Sequence, residues 1–130
     1  MTPESANNEL AGALRGLAIG RIVLGIASLA APNLLAKAGR VPAAPELTYM
    51  TRIFGIRAMA LGLGYLTSVA SERFRWQRLA LMVDITDTTH GALHLVRGDL
   101  PRATAAAMVA LTGGYMSVGA TRLIKDLTAA

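Results

Sequence analysis

The chain has 130 residues, 53% of them apolar, 16% charged and 5% aromatic, with no cysteine and a formal net charge of +5. That length fits one fold unit rather than two, and the lack of cysteine excludes disulfide scaffolds, thiolate zinc sites and cysteine nucleophiles. A charged fraction so far below the usual quarter, with a mean hydropathy of +0.45, excludes a disordered tail and leaves too few charges to coat an ordinary soluble surface. Lys and Arg outnumber Asp and Glu by 13 to 8, yet they are scattered through apolar stretches, and two Phe, three Tyr and one Trp are few bases' worth of stacking. Nucleic acid is therefore not an expected partner.

In chain order, Met1 to Asn8 is polar and reads as a short tail, although Thr2-Pro3-Glu4-Ser5 has the form of a helix start. A secretory leader is not expected, because its basic region would be long and nearly neutral and Pro32 would follow the cut. The first helix is expected at about 11–31, interrupted only by Arg15 and Arg21 and stopped at Pro32-Asn33. A connector rich in turn residues follows, through Lys37, Gly39, Arg40, Pro42 and Pro45, with a short interfacial turn at Leu34-Leu35. The second helix, about 47–70, contains Arg52 and Arg57 and ends in the basic run Ser71 to Arg75; the third, about 76–96, opens on Trp76 and ends at Arg97-Gly98-Asp99-Leu100-Pro101. The fourth, about 103–122, is uncharged from Ala103 to Thr121, long enough to cross a hydrocarbon layer of roughly 30 Å.

Four such segments in one domain, 1–130, describe either a soluble four-helix bundle or four transmembrane helices. A soluble bundle needs a charged stripe on each helix; the last segment offers none, and the first two offer two Arg each. The expected fold is therefore all-α, a four-transmembrane-helix bundle with short loops. Arg15, Arg73, Arg75, Arg78, Arg122 and Lys125 on one side, against Lys37, Arg40, Arg97 and Arg102 on the other, favour cytoplasmic termini, in a bacterial inner membrane.

Small residues suggest how the helices meet. Gly12, Gly16 and Gly20 make two overlapping small-xxx-small steps and Gly55 and Gly62 mark the second helix; they suit packing within the chain or a homo-oligomer seam. Arg21 and Arg57 are the expensive residues, at about 2.5–3.5 kcal/mol each for an Arg at a helix centre, and Asp84 and Asp87 on the third helix lie at matching depths. An internal network is expected, pairing Arg21 with Asp84 and Arg57 with Asp87, either as an architectural lock or as a polar cavity for an anionic head group. Asp84, Asp87, His90 and His94 share an arc of roughly 120° on one helix. That face could relay protons, or supply Asp87, His90 and His94 to a metal, but the other segments add no His and almost no acid. No Gly-x-Ser-x-Gly elbow or phosphate-binding Gly-rich loop is present, and Asp84-x-x-Asp87 lacks the longer pattern of membrane phosphoalcohol transferases.

The order Pro32 and Gly39, then Arg52-Ile53-Phe54-Gly55-Ile56-Arg57 opening into Leu61-Gly62-Leu63, then Asp84, resembles small four-helix membrane proteins of unknown function and, more distantly, the DoxX-like group. The resemblance implies four transmembrane helices, singles out Arg52, Arg57 and Asp84, and brings no activity with it. The expected function is thus that of a non-enzymatic membrane bundle, without cofactor or metal. Its partner would be a membrane lipid, a larger membrane complex or a second copy of itself. A proton-coupled transporter acting as a homodimer and a membrane enzyme using the Asp/His face are the alternatives.

Overall fold

A computed structural model describes all residues, 1–130, as helices and short turns without a strand. The elements are α1 (Pro3–Ala30), α2 (Pro32–Ala38), α3 (Pro45–Thr67), α4 (Arg73–Arg97) and α5 (Arg102–Thr128). The long helices have 28, 23, 25 and 27 residues. At 1.5 Å per residue the shortest is about 35 Å long, enough to cross a bilayer core.

Three boundaries depart from the sequence expectation. The N-terminal tail is the first turn of α1: Thr2 Oγ1 accepts the Ser5 N–H at 3.2 Å, Pro3 supplies its fixed φ at the first position, and Glu4 sits at the positive end of the helix dipole. Pro32 does stop α1, but the same ring starts α2, a seven-residue helix inside what reads as a connector. A missing N–H is harmless at a first helical position, so one proline ends one helix and begins the next. At the far end α5 continues past Arg122 to Thr128, supported by the Arg122–Asp126 pair at 2.8 Å one turn apart. Between α4 and α5, Gly98 takes the left-handed conformation (φ +69°) that closes a helix and donates its N–H to His94 O at 2.9 Å.

The four long helices pack as two hairpins. α1 lies closely against α3 and α4 closely against α5, while the hairpins meet each other more loosely. Small residues cause the close approach: a Cβ on Gly25 would come within 2.6 Å of Gly55 O, one on Gly55 within 2.8 Å of Gly25 O, and one on Gly62 within 2.5 Å of Ala18 O. Two backbones are in direct contact there, as close helix pairs in lipid require. In the second hairpin Gly119 receives Leu81, while Trp76 of α4 fills the space beside Gly64 of α3.

The small-residue expectation holds for only part of its stripe. Gly55 and Gly62 pack as expected, Gly20 makes room for the Tyr115 hydroxyl, and Gly25 belongs with them; Gly12 and Gly16 have nothing within 4 Å of where a side chain would be. Those two lie on the outer face: Leu14 and Ala18, two residues away from Gly16 on either side, are buried, and a two-residue step turns a helix by about 200°. Gly12→Ala and Gly16→Ala are therefore expected to raise monomer stability by up to about 1 kcal/mol each through helix propensity. A lowered unfolding midpoint in detergent for either would place a neighbour against that face.

Only 14 of 130 residues are buried, and the apolar ones among them, Leu14, Ala18, Ala58, Leu61, Leu81 and Ala105, are few and mostly small. Large apolar side chains such as Val23, Ile26, Ile56, Met82 and Val96 face outward, an outer surface far more apolar than water tolerates over a continuous area. Two helices, α1 and α5, are long and apolar enough to cross a membrane, and only 17% of the most apolar stretch of each is buried. A core helix of a soluble protein passes the same test but is mostly enclosed, which these two are not. The expectation of four apolar spans is met by these two alone. α3 falls short because it carries Arg52 and Arg57, and α4 because Arg73, Arg75, Arg78, Asp84, Asp87 and Arg97 all lie in it.

Candidate functional site: a charged seam and an apolar cavity

The hairpins are joined by charge. All the cations at the seam come from the α1–α3 hairpin and both anions from α4. Arg21 of α1 donates from Nη2 to Asp84 Oδ2 at 2.5 Å, with only 11% and 4% of the two side chains exposed; Arg57 of α3 donates to Asp87 Oδ2 at 2.9 Å, with 42% and 24% exposed. The α4 residues are three apart and so share a face. An unpaired charge buried as Arg21 and Asp84 are is strongly unfavourable, so each requires the other; the more exposed Arg57–Asp87 pair depends on its partner less.

Aromatic rings hold the guanidinium groups. The Tyr115 ring lies 4.7 Å from Arg21 Cζ and the Phe54 ring 5.4 Å from Arg57 Cζ, both within cation–π range. Through Arg21, α1, α4 and α5 meet at one point. The sequence reading of the site omits Tyr115, although it carries the only aromatic ring in the uncharged stretch of α5 and its polar tip needs an internal partner.

The remaining expected site residues lie apart from this pair of bridges. Arg52 is exposed at the α2–α3 junction beside Asn33, Thr48 and Tyr49, and forms no ion pair. It is one helical turn and a half from Arg57 and points away from the seam, so it does not belong to the network. His90 Nδ1–H donates to Thr86 O at 2.9 Å, inside its own helix, and His94 Nδ1 lies 2.7 Å from Asp99 Oδ1 in the following turn. Asp87 is committed to Arg57, and no three His, Asp or Glu side chains converge. The shared arc on α4 is real, but each member is satisfied locally or by a different helix, so the arc does not make a single site.

Cavities surround the seam. Two small ones, each about 30 Å³, flank the Arg21–Asp84 bridge; one is bounded by Trp76, Gln77 and Leu81, the other by Phe54, Arg57, Asp87 and Thr112. Each has room for a water and polar groups to hold it. The second runs on toward a third, of about 630 Å³, with which it shares Leu24, Phe54, Met108 and Leu111. This larger cavity opens between α1, α2, α3 and the start of α5; its walls are mostly aliphatic and Arg40 is its one charged residue. Its mouth is braced by Thr104, which donates to Gly39 O at 2.5 Å, next to Arg40 in a left-handed conformation (φ +55°). The site as a whole is an open apolar pocket with Arg40 on its lining, adjoining a small polar cavity bordered by the Arg57–Asp87 bridge.

Compared with models of protein families, with curated proteins and with solved structures, the chain matches none. The likeness to DoxX-like proteins accordingly rests on the sequence motifs alone.

Proposed function

We propose that this protein is a non-enzymatic integral membrane bundle whose four long helices all span the bilayer and whose 630 Å³ cavity takes the acyl chain of a lipid-like molecule. One observation carries the reading: the cavity has the size of a small-molecule site, a lining that is largely aliphatic, and a single cation at its mouth. The hydrophobic effect rewards an alkyl chain in such a space, and Arg40 suits an acidic head group left at the rim. The charged seam supports the four spans. By neutralising Arg21 and Arg57 against Asp84 and Asp87 inside the bundle, it removes the main objection to placing α3 and α4 in lipid. The basic residues of the α3–α4 turn and the end of α5 favour cytoplasmic termini, in a bacterial inner membrane.

Purified protein in neutral detergent is expected to bind a fluorescent polyene fatty acid saturably and near one to one. Ala107→Trp, which projects a large ring from the exposed cavity wall of α5, is expected to abolish that signal at unchanged helicity. Wild-type binding by this variant would remove the cavity from the account.

A second reading, that the bundle acts beside another membrane protein or a second copy of itself, is favoured by the open Gly12–Gly16 step on α1, which lets another helix approach closely.

A further inference from the structure

At the end of the bundle opposite the apolar cavity, four helices come together around a pocket of about 460 Å³: the first part of α1, the C-terminal ends of α3 and α5, and the N-terminus of α4. Its charged lining is Arg73, Arg78, Arg122 and one carboxylate, Asp126, with Ser71 and Gln77 adding polar groups. Asp126 is already engaged by Arg122 Nε. Arg73 and Arg78 have no acidic partner: of the four ion pairs of the molecule only Arg122–Asp126 lies in this pocket, and neither arginine takes part in it.

Both arginines are on the wrong end of their helix. An α-helix N-terminus favours negative charge, but α4 begins with Arg73 and Arg75, has no acidic residue in its first turn, and is not capped by the side chain of Glu72. The start of α4 is thus rich in guanidinium groups, with Asp126, already held by Arg122, as the one carboxylate lining the pocket. The guanidinium groups are held in place: Arg73 lies over the Tyr65 ring at 5.8 Å and Arg78 over the Phe74 ring at 5.2 Å. Such stacking lowers the entropy lost on binding. Beneath them Gln77 Nε2 is buried without a hydrogen-bond acceptor, and Gln77 lines this pocket as well as the small cavity below it.

We propose that this pocket binds the phosphate of an anionic phospholipid head group. The inference rests on the transmembrane reading, which sets this end of the bundle at head-group depth. Arg fits because it gives paired donors to phosphate oxygens, and the positive end of the α4 dipole favours an anion beside them. Basic pockets between helix ends are a general way of holding acidic lipids.

The test is a titration of short-chain phosphatidylglycerol into the full-length protein in nanodiscs of neutral phosphatidylcholine. Incorporation into the discs checks the transmembrane reading separately from the pocket. Wild type is expected to bind saturably, Arg73→Ala/Arg78→Ala roughly twentyfold more weakly, and Arg97→Ala/Arg102→Ala, which removes two equal charges from the other end, like wild type. Inorganic phosphate at equal concentration is expected not to compete. Equal weakening by both double variants would reduce the effect to net charge and overturn the proposal. So would full competition by inorganic phosphate, which would assign the pocket to a soluble ion, or unchanged binding in Arg73→Ala/Arg78→Ala discs whose helicity matches wild type.

Discussion

Asp84→Ala is expected to lower the stability of the folded bundle by about 3–5 kcal/mol, the largest effect of any single charge removal in this chain. Arg21 would be left buried with no counter-charge, since no other acidic group forms an ion pair with it. Arg21→Ala strands Asp84 in the same way and is expected to fall in the same range. The second bridge, being far more exposed, should respond less, so Arg57→Ala is expected to be milder than Asp84→Ala. Replacing both members, as in Arg21→Leu/Asp84→Leu, removes the desolvation penalty with the attraction and is expected to restore most of the stability. The midpoint of unfolding by an anionic denaturing detergent reads all four. Equal midpoints for wild type and Asp84→Ala would mean that the hairpins are not joined by this bridge.

Gly55→Val is expected to destabilise the α1–α3 hairpin by about 3 kcal/mol or more, beyond the usual range for one overpacked side chain. The reason is what the side chain would strike. Its Cβ alone would stand 2.8 Å from Gly25 O and from Ser28 Cβ, and a backbone carbonyl cannot rotate away as a flexible side chain can. The helices must separate, and separation spreads along the contact to Ala18 and Gly62. Gly62→Ala tests the same contact with one methyl, and by its 2.5 Å approach to Ala18 O it is expected to lose more than the helix propensity it gains. Crosslinking or distance measurements between α1 and α3 would show the separation directly; a Gly55→Val protein that melts like wild type with unchanged α1–α3 distances would contradict the packing described.

Much of this was legible in the residues themselves, for physical reasons that differ from part to part. The two bridges could be paired by depth because a buried charge has few places to go: Arg21 and Arg57 need anions, and Asp84 and Asp87 are the only acids between Glu72 and Asp99. The α1–α3 contact was half legible, because glycine spacing marks a face that can be approached but not the face that is. Gly12 and Gly16 fit the pattern and yet stand open, on the side of α1 away from the buried Leu14 and Ala18. Arg52 was singled out by the resemblance, and a five-residue step on a helix turns it to a different side from Arg57. The ends of the helices were obscured by residues with two roles: Pro32 reads as a stop and is also a start, and the polar residues after Met1 are an N-cap and first turn. The cavity was not legible as a site, because its lining is gathered from α1, α2, α3 and α5, and nothing in local spacing states how distant helices are placed; Tyr115 stood out only as the one ring in an uncharged stretch, without its partner Arg21.

The central claim, that all four long helices cross the bilayer, is tested most directly by labelling single cysteines with a membrane-impermeant maleimide in intact cells. The chain has no cysteine of its own, so each introduced thiol reports alone. Ala43→Cys, in the α2–α3 turn, and Asp99→Cys, in the α4–α5 turn, are predicted to label from outside, while Ser71→Cys and Thr128→Cys label only after the membrane is opened. Labelling of Ala43 and Ser71 from the same side would mean that α3 does not cross, and labelling of Ser71 and Asp99 from the same side would mean that α4 does not; either result would contradict the four-span bundle.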